Sequence, residues 1–353
     1  MFAEKIAKLT GQVLDSTPLT RAQADWLVTE VGTDQLPALM AGAGRIRDRF
    51  QGTKVKCCSI AATRVGQCSE NCAFCSQSAH HAAPQATVGR LETEQVVRAA
   101  MEAADNGAQY FGLVNSGRCV RDGEIDRLAP AIERIRQSGR IGVCASLGFL
   151  TDAQAERLAA LGVRHYNHNL QTSRRFYPEI ASTHTYDDRL ETLRHLKNAG
   201  VGLCCGGLFG MGETWADRID LAFELRSLQP DVVPINFLIA VEGTPLAGRQ
   251  PLDAEECLKI IAIFRFLLPE PEIKVAGGRE LCLGEMQDQI FAAGATGYIV
   301  GNYLTTCGQA PDRDRQMLSE LGLEMEVYAS RPAVDRPADD RETNHPAAYN
   351  VDA

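Results

Sequence analysis

Residues 68 to 75 read CSENCAFC, so Cys68, Cys72 and Cys75 fall within eight positions and no fourth cysteine follows them closely. Three thiolates at this spacing suit a [4Fe–4S] cluster, which takes four ligands and would here keep one iron free of any side chain. An iron left open favours a chelating small molecule over plain electron transfer, for which a fourth Cys would close the coordination. Two readings compete with this one. Positions i, i+4 and i+7 also form one stripe of a helix, although Ser69, Asn71, Ser76 and Gln77 supply polar groups without a sustained apolar face. A closed zinc site wants four ligands, and His80 or His81 would have to complete it.

Something must hold these thiols in place, and the rest of the chain supplies a repeating framework. Eight apolar, β-rich segments recur: VKCCSIAAT, AQYFGLVNS, RIGVCASLG, VRHYNHNL, VGLCCGGLFG, DVVPINFLIA, EIKVAGGRE and GYIVGNYL. Amphipathic runs such as EQVVRAAMEAADNG and YDDRLETLRHLKNAG separate them, with apolar residues at three- and four-residue steps and Gly at the end. Eight strand–helix units predict an α/β fold, a (β/α)8 TIM-type barrel, rather than an open doubly wound sheet; no GxGxxG follows the first strand. The cysteine motif then lies in the first βα loop, on the face where such barrels carry their chemistry. Residues 1–50 read as an N-terminal helical extension, with TRAQADWLVTEVG its clearest helix, and 51–327 as the barrel. The tail 328–353, rich in Pro, Asp and Ala, is expected to be disordered.

Composition narrows the class further. A formal net charge of -9 over 353 residues argues against a nucleic-acid partner or an anionic membrane surface. The opening MFAEKIAKLTGQVL places Glu4, Lys5 and Lys8 where a signal peptide would need an apolar stretch, and no uncharged run is long enough to span a bilayer, so a cytoplasmic location is expected. Disulfides are rare there, and twelve cysteines point toward metal.

The CxxxCxxC motif in a first barrel loop resembles the signature of the radical S-adenosylmethionine enzymes. From about residue 52 to 325 the chain resembles the biotin synthase family, through CSIAATRVGQCSENCAFCSQS, YNHNLQTS, THTYDDRLETL, GMGET, VPINFL, GTPL, AGGRE and GNYLTT. The resemblance implies that the open iron is chelated by S-adenosylmethionine and that an electron from the cluster cleaves its carbon–sulfur bond. The resulting 5′-deoxyadenosyl radical takes hydrogens from dethiobiotin, and sulfur is inserted to give biotin. It also implies a flavodoxin or ferredoxin as reductant and a homodimer.

Several residues stand where this chemistry needs them. Asn167 and Asn169 end the fourth strand and, two apart, share a face. The family would use Asn169 on the ribose of S-adenosylmethionine and Asn167 on the substrate side; strand-end residues satisfying loop backbone are the competing reading. His168, between them, faces outward as a packed, hydrogen-bonded histidine. Arg189 follows Asp187 and Asp188 in the first turn of a helix, where a cation runs against the local preference. By resemblance it clamps the methionyl carboxylate; a solvated Arg paired with Asp188 is the alternative. Asn236 interrupts an apolar strand, where a buried amide needs a partner; by resemblance it would hydrogen-bond dethiobiotin, and Phe74 would pack near the adenine. Gln171 stands where many relatives carry an acid toward the ribose, a contact that an amide can still make.

The resemblance breaks at one point. The family's second cluster, a [2Fe–2S] centre that donates sulfur, is held by three cysteines and an arginine, and Cys144, Cys204 and Arg279 match three of those places. Gly112 falls where the remaining cysteine belongs. Cys205 and Cys119 are the candidate substitutes, the former only if the strand is irregular near Gly206–Gly207. Cys57, Cys58, Cys257, Cys282 and Cys307 read as buried packing residues, Cys282 lying three positions beyond Arg279. An auxiliary cluster of altered type or ligation is therefore expected. The alternatives are a biotin-synthase-like radical enzyme without sulfur insertion, a mutase or a cofactor-maturation enzyme, and, outside enzymes, an electron carrier or a zinc-stabilised module.

Overall fold

A computed structural model of the chain describes residues 2–84, 89–304 and 308–329. Strand β1 (Cys58–Val65) is met antiparallel at Arg64 and Val65 by a short return strand, β2 (Gly89–Arg90). The remaining strands run parallel: β3 (Tyr110–Asn115), β4 (Gly142–Ser146), β5 (His165–Asn167), β6 (Gly202–Cys204), β7 (Gly207–Phe209), β8 (Val232–Phe237), β9 (Glu272–Val275) and β10 (Gly297–Tyr298). Because β6 and β7 occupy one place in succession, eight places go round the sheet. The Lys56 amide donates to the Thr296 carbonyl and the Val300 amide to that of Cys58, both at 2.8 Å, so the last strand closes on the first. This is the barrel that the eight segments predict.

Helices α1 (Phe2–Leu14), α2 (Arg21–Glu30) and α3 (Leu36–Gln51) lead into the barrel. Around it run α4 (Thr93–Asp105), α5 (Asp122–Gln137), α6 (Asp152–Ala160), α7 (Tyr186–Asn198), α8 (Trp215–Leu228), α9 (Ala254–Leu267), α10 (Arg279–Leu283) and α11 (Pro311–Glu320). Capping boxes Thr151/Gln154, Thr185/Asp188 and Thr214/Asp217 start α6, α7 and α8, satisfying amides that have no partner inside the helix. The leading helices lie against α8 and α9: Lys259 Nζ donates to the Val28 carbonyl, and Arg226 to that of Leu19, both at 2.8 Å. No helix among the described residues is long and apolar enough to cross a membrane. The tail expected to be disordered lies, from residue 330 onward, outside the described residues, as does Cys307.

Alternation along each strand decides which side chains can do chemistry. On β4, Val143 and Ala145 are buried toward the helices, while half-buried Cys144 and Ser146 face the barrel interior. Between β6 and β7 the ladder lapses for Cys205 and Gly206, opposite Pro234 of β8, whose ring nitrogen carries no hydrogen. A Cβ on Gly206 would sit 2.0 Å from the Pro234 carbonyl oxygen, so only glycine fits. The register against β8 is the same on both sides of the lapse, Cys204 opposite Val232 and Gly207 opposite Ile235. No residue is inserted, and Cys204 and Cys205 keep opposite faces.

Candidate active site

The cysteine loop leaves β1 through Gly66 and Gln67, both left-handed at φ 89° and 48°. It then folds back on itself, the amide of Cys68 donating to the Gln77 carbonyl at 2.9 Å and that of Ala79 to the Cys68 carbonyl at 2.8 Å. Asn71 ties it to the segment after β5: its Nδ2 donates to Ser182 Oγ at 2.7 Å, and its Oδ1 accepts from the Ser182 and Thr183 amides. The thiols of Cys68, Cys72 and Cys75 lie within electrostatic reach of one another. Burial pushes the Cys72 thiol up to about 12, with Arg189 opposing and its sister thiols adding to the rise, and burial also raises Cys75. Iron must therefore displace protons to bind. His80 and His81 bond through Nε2 to the loop's own Ser69 and Cys72 carbonyls, at 2.9 and 3.0 Å.

Beside Cys72 runs a polar chain that fixes Arg189. Its guanidinium donates to the Asn169 carbonyl at 2.9 Å, to His184 Nε2 at 3.1 Å and to the Tyr177 hydroxyl. A guanidinium can only donate, so His184 accepts at Nε2 and carries its proton on Nδ1, which donates to Glu70 Oε2 at 2.7 Å. Burial, and then the Arg189 charge, lower the His184 pKa and favour this neutral form. Burial alone would raise Glu70, but hydrogen bonds from Thr183, His184 and Ser69 and the charge of Arg118 outweigh it and hold the carboxyl below its usual range. Asp188 does not pair with Arg189; it caps α7 on Thr185.

A cavity of about 410 Å³ opens beneath this loop into the barrel. Of the expected site residues, Phe74, Cys75, Gln171, Asn167, Asn169, Cys144, Cys204 and Asn236 line it, whereas Cys68, Cys72, Arg189 and Arg279 do not. Asn167, which ends β5, and Asn169, two residues beyond it, both face inward, but each already has work. Asn169 Oδ1 accepts from the Gly206 amide at 3.0 Å, and Asn167 Nδ2 lies 3.3 Å from Cys204 Sγ. Asn236 bridges backbone on two strands, donating to the Gly207 carbonyl and accepting from the Gly277 amide, both at 3.1 Å. Each amide keeps hydrogen-bonding capacity in reserve. Gln171 adopts φ 72°, a left-handed conformation unusual for a side-chain-bearing residue, in the turn that follows β5. His168 is buried against Phe149, and its Nε2 has no hydrogen-bond partner among the described residues, so it is packed but not bonded as expected.

Arg279 departs from its expected place beside Cys144 and Cys204. It is fully buried behind the cavity wall, its Nη2 3.0 Å from Asp314 of α11 and 3.3 Å from Glu280, its guanidinium over the Tyr298 ring at 4.5 Å. The two candidate substitutes for the missing cysteine also point elsewhere. Cys205, between β6 and β7, is fully buried and does not line the cavity, and Cys119 is exposed. A larger cavity of about 680 Å³ lies at the other end of the barrel and shares Tyr110, His165 and Val232 with the first; no described cysteine lines it.

The profile of the Radical SAM superfamily matches residues 64–225, and that of the Biotin and Thiamin Synthesis associated domain matches residues 234–324. Curated biotin synthases are similar along nearly the whole chain. That of Geobacter sulfurreducens is 45% identical over 316 residues, 89% of this chain and 96% of its own length. That of Gloeothece citriformis is 44% identical over 327 residues, 91% of each chain. The chain belongs to the biotin synthase family. Among solved structures, methylornithine synthase superposes with a TM-score of 0.78 over 90% of this chain and 97% of its own, at 19% identity. A maturase of the [FeFe]-hydrogenase gives 0.75 at 15% identity, over 91% of this chain and 75% of its own. At those identities they speak for the fold alone, whereas the biotin synthases speak for a sulfur-inserting radical enzyme.

The donor set fits what biotin synthases hold. At the cavity mouth the first loop offers three thiols while its neighbouring imidazoles are engaged with backbone. Among the described residues no group of three or more His, Cys, Asp or Glu side chains converges tightly enough for a single metal ion; a multi-iron cluster spreads its thiolates wider. Deeper in, Cys144 and Cys204 face the cavity, and burial holds both thiols well up, Cys204 at about 12. Sequence reasoning missed four residues at this depth: Cys58, Lys274, Tyr110 and His165. Burial lowers His165 to about 4, leaving a neutral imidazole whose Nδ1 is 3.7 Å from Cys144 Sγ. Lys274 was discoverable, since a lysine inside the apolar run EIKVAGG is seldom buried without a partner.

Proposed function

We propose that this chain converts dethiobiotin to biotin, with substrate held in the barrel cavity between the cysteine loop and Cys144 and Cys204. The observation that carries this reading is the single cavity reaching from Cys75 and Phe74 at its mouth to those two inner thiols. A radical generated at one end and a sulfur source at the other can then address the same bound molecule. When bound, the [4Fe–4S] cluster with S-adenosylmethionine supplies the hydrogen-abstracting 5′-deoxyadenosyl radical, and the auxiliary iron–sulfur cluster supplies sulfur.

The chain's own residues bind, orient and exclude water. Cys68, Cys72 and Cys75 hold the open cluster, and Arg189, fixed by Tyr177, His184 and the Asn169 carbonyl, offers a cation to the methionyl carboxylate. Asn169 and Gln171 face the ribose and Phe74 the adenine. Asn167 and Asn236 keep spare amide capacity for the ureido group of dethiobiotin, while the apolar remainder of the wall takes its aliphatic chain. A flavodoxin or ferredoxin donates the electron and the chain pairs as a homodimer, both on the strength of the family resemblance.

Anaerobic incubation of reconstituted protein with dethiobiotin, S-adenosylmethionine and a reductant, followed by mass spectrometry, tests the reading. Biotin together with 5′-deoxyadenosine is expected. If 5′-deoxyadenosine forms while biotin and sulfurated intermediates never do, sulfur insertion is refuted and radical chemistry survives.

A further inference from the structure

On β3, Gly112 stands between Ile60 of β1 and Cys144 of β4, its register partners on either side. A Cβ at Gly112 would meet Ile60 Cγ2 at 3.0 Å, so a side chain there would need Ile60 to give way. Two residues before Ile60, on the same face of β1, Cys58 looks into the same cavity. It lies within electrostatic reach of both Cys144 and Cys204. Apart from Cys75 of the first loop, these three are the thiols of the described residues that line the cavity. Cys58 Sγ is 3.0 Å from Nζ of Lys274, which is 2% exposed and held from behind by Glu272 at 2.9 Å.

We propose that the auxiliary cluster of this chain is ligated by Cys58, Cys144 and Cys204, with Lys274 as the buried cation that hydrogen-bonds the Cys58 thiolate; this rests on the sulfur-insertion reading above. The thiol absent from position 112 is supplied by the adjacent strand, and the cation beside it is Lys274 rather than Arg279. Three thiolates on a cluster bring net negative charge into a low-dielectric cavity, which is costly unless a counter-charge is at hand. Among the described lining residues Lys274 is the one full cation, and none is a carboxylate. A protonated amine has three donors and no lone pair, so Lys274 positions and tunes the cluster and does not ligate it.

The test compares reconstituted wild type with Cys58→Ala, Cys58→Ser, Cys119→Ala and Cys205→Ala by iron and sulfide content and by Mössbauer spectra. The fold is checked by circular dichroism. Wild type is expected to carry clearly more than about four iron and four sulfide per chain, one cubane's worth. Both Cys58 variants fall back to about four, while Cys119→Ala and Cys205→Ala stay at the wild-type level. The Cys58→Ser variant keeps the volume and a partner for Lys274, so it answers even if the alanine variant misfolds. Folded Cys58 variants that keep the full iron complement overturn the ligand assignment and leave sulfur insertion standing. Wild type with no more than about four iron overturns the auxiliary-cluster reading itself. Lys274→Met is expected to retain the auxiliary iron and lower its reduction midpoint, Lys274→Arg to restore it; an unchanged midpoint in Lys274→Met removes Lys274 from the proposal.

Discussion

Replacing Asp314 with Ala separates a structural arginine from a cluster ligand. Arg279 and Asp314 are both fully buried, with one guanidinium nitrogen 3.0 and 3.3 Å from the two carboxylate oxygens. Removing one partner of such a pair strands the other charge and costs roughly 3–5 kcal/mol. Two features place this case at the low end. Glu280, 3.3 Å away and partly exposed, still compensates Arg279, and burial already raises the Asp314 pKa despite the arginine beside it, so the carboxylate is itself costly to keep ionised. A loss of about 3 kcal/mol is expected, read as an earlier anaerobic thermal transition with iron per chain unchanged. In the double variant Arg279→Met/Asp314→Leu both charges are gone, and stability should return to within about 1 kcal/mol of wild type, again with full iron. Loss of the iron beyond one cubane in the double variant, with the fold intact, would refute the reasoning and return Arg279 to the cluster.

Arg189→Met should weaken S-adenosylmethionine binding by ~1.5–3 kcal/mol, the worth of a hydrogen bond to a charged group, or roughly 10- to 150-fold in Kd; calorimetry on cluster-loaded protein checks it, and a change under about threefold would exclude the carboxylate clamp. Glu70, with its folded pKa depressed, adds stability that is complete above the free glutamate value of about 4.3 and is lost as pH falls through the lower folded value. The melting difference between metal-free wild type and Glu70→Gln should therefore be steady at neutral pH and vanish once the pH has fallen below the depressed folded value. Gly206→Ala drives a methyl into the Pro234 carbonyl, which backbone cannot yield cheaply, and should destabilise by at least ~1–3 kcal/mol in the same melting assay.

Much of the framework was legible because periodicity and spacing are local. The eight strand–helix units, the amphipathic run YDDRLETLRHLKNAG that forms α7, and the loop carrying Cys68, Cys72 and Cys75 all follow from signals within a dozen residues. The inner half of the cavity was not, since it depends on strand phase. In VKCCSI, either Cys57 or Cys58 could face inward, and the choice is made by closure of the barrel, where Cys58 meets Ile299 across more than two hundred residues. Likewise EIKVAGGRE offers two cations. Lys274, within β9, turns inward, whereas Arg279, past the strand end in α10, is drawn to Asp314 of a helix that no local pattern connects to it. Asn236 shows a further limit: an amide in an apolar strand signals a needed partner without saying whether that partner is backbone or ligand.

On the proposed reading, the first loop leaves one iron free for S-adenosylmethionine. Electron–nuclear double resonance on the reduced [4Fe–4S] protein, with the amino nitrogen and carboxylate of S-adenosylmethionine isotopically labelled, tests it most directly. Strong hyperfine coupling from both labels to the cluster is predicted. A cluster that shows no coupling to either label, with a fourth side chain on its iron, would contradict the account.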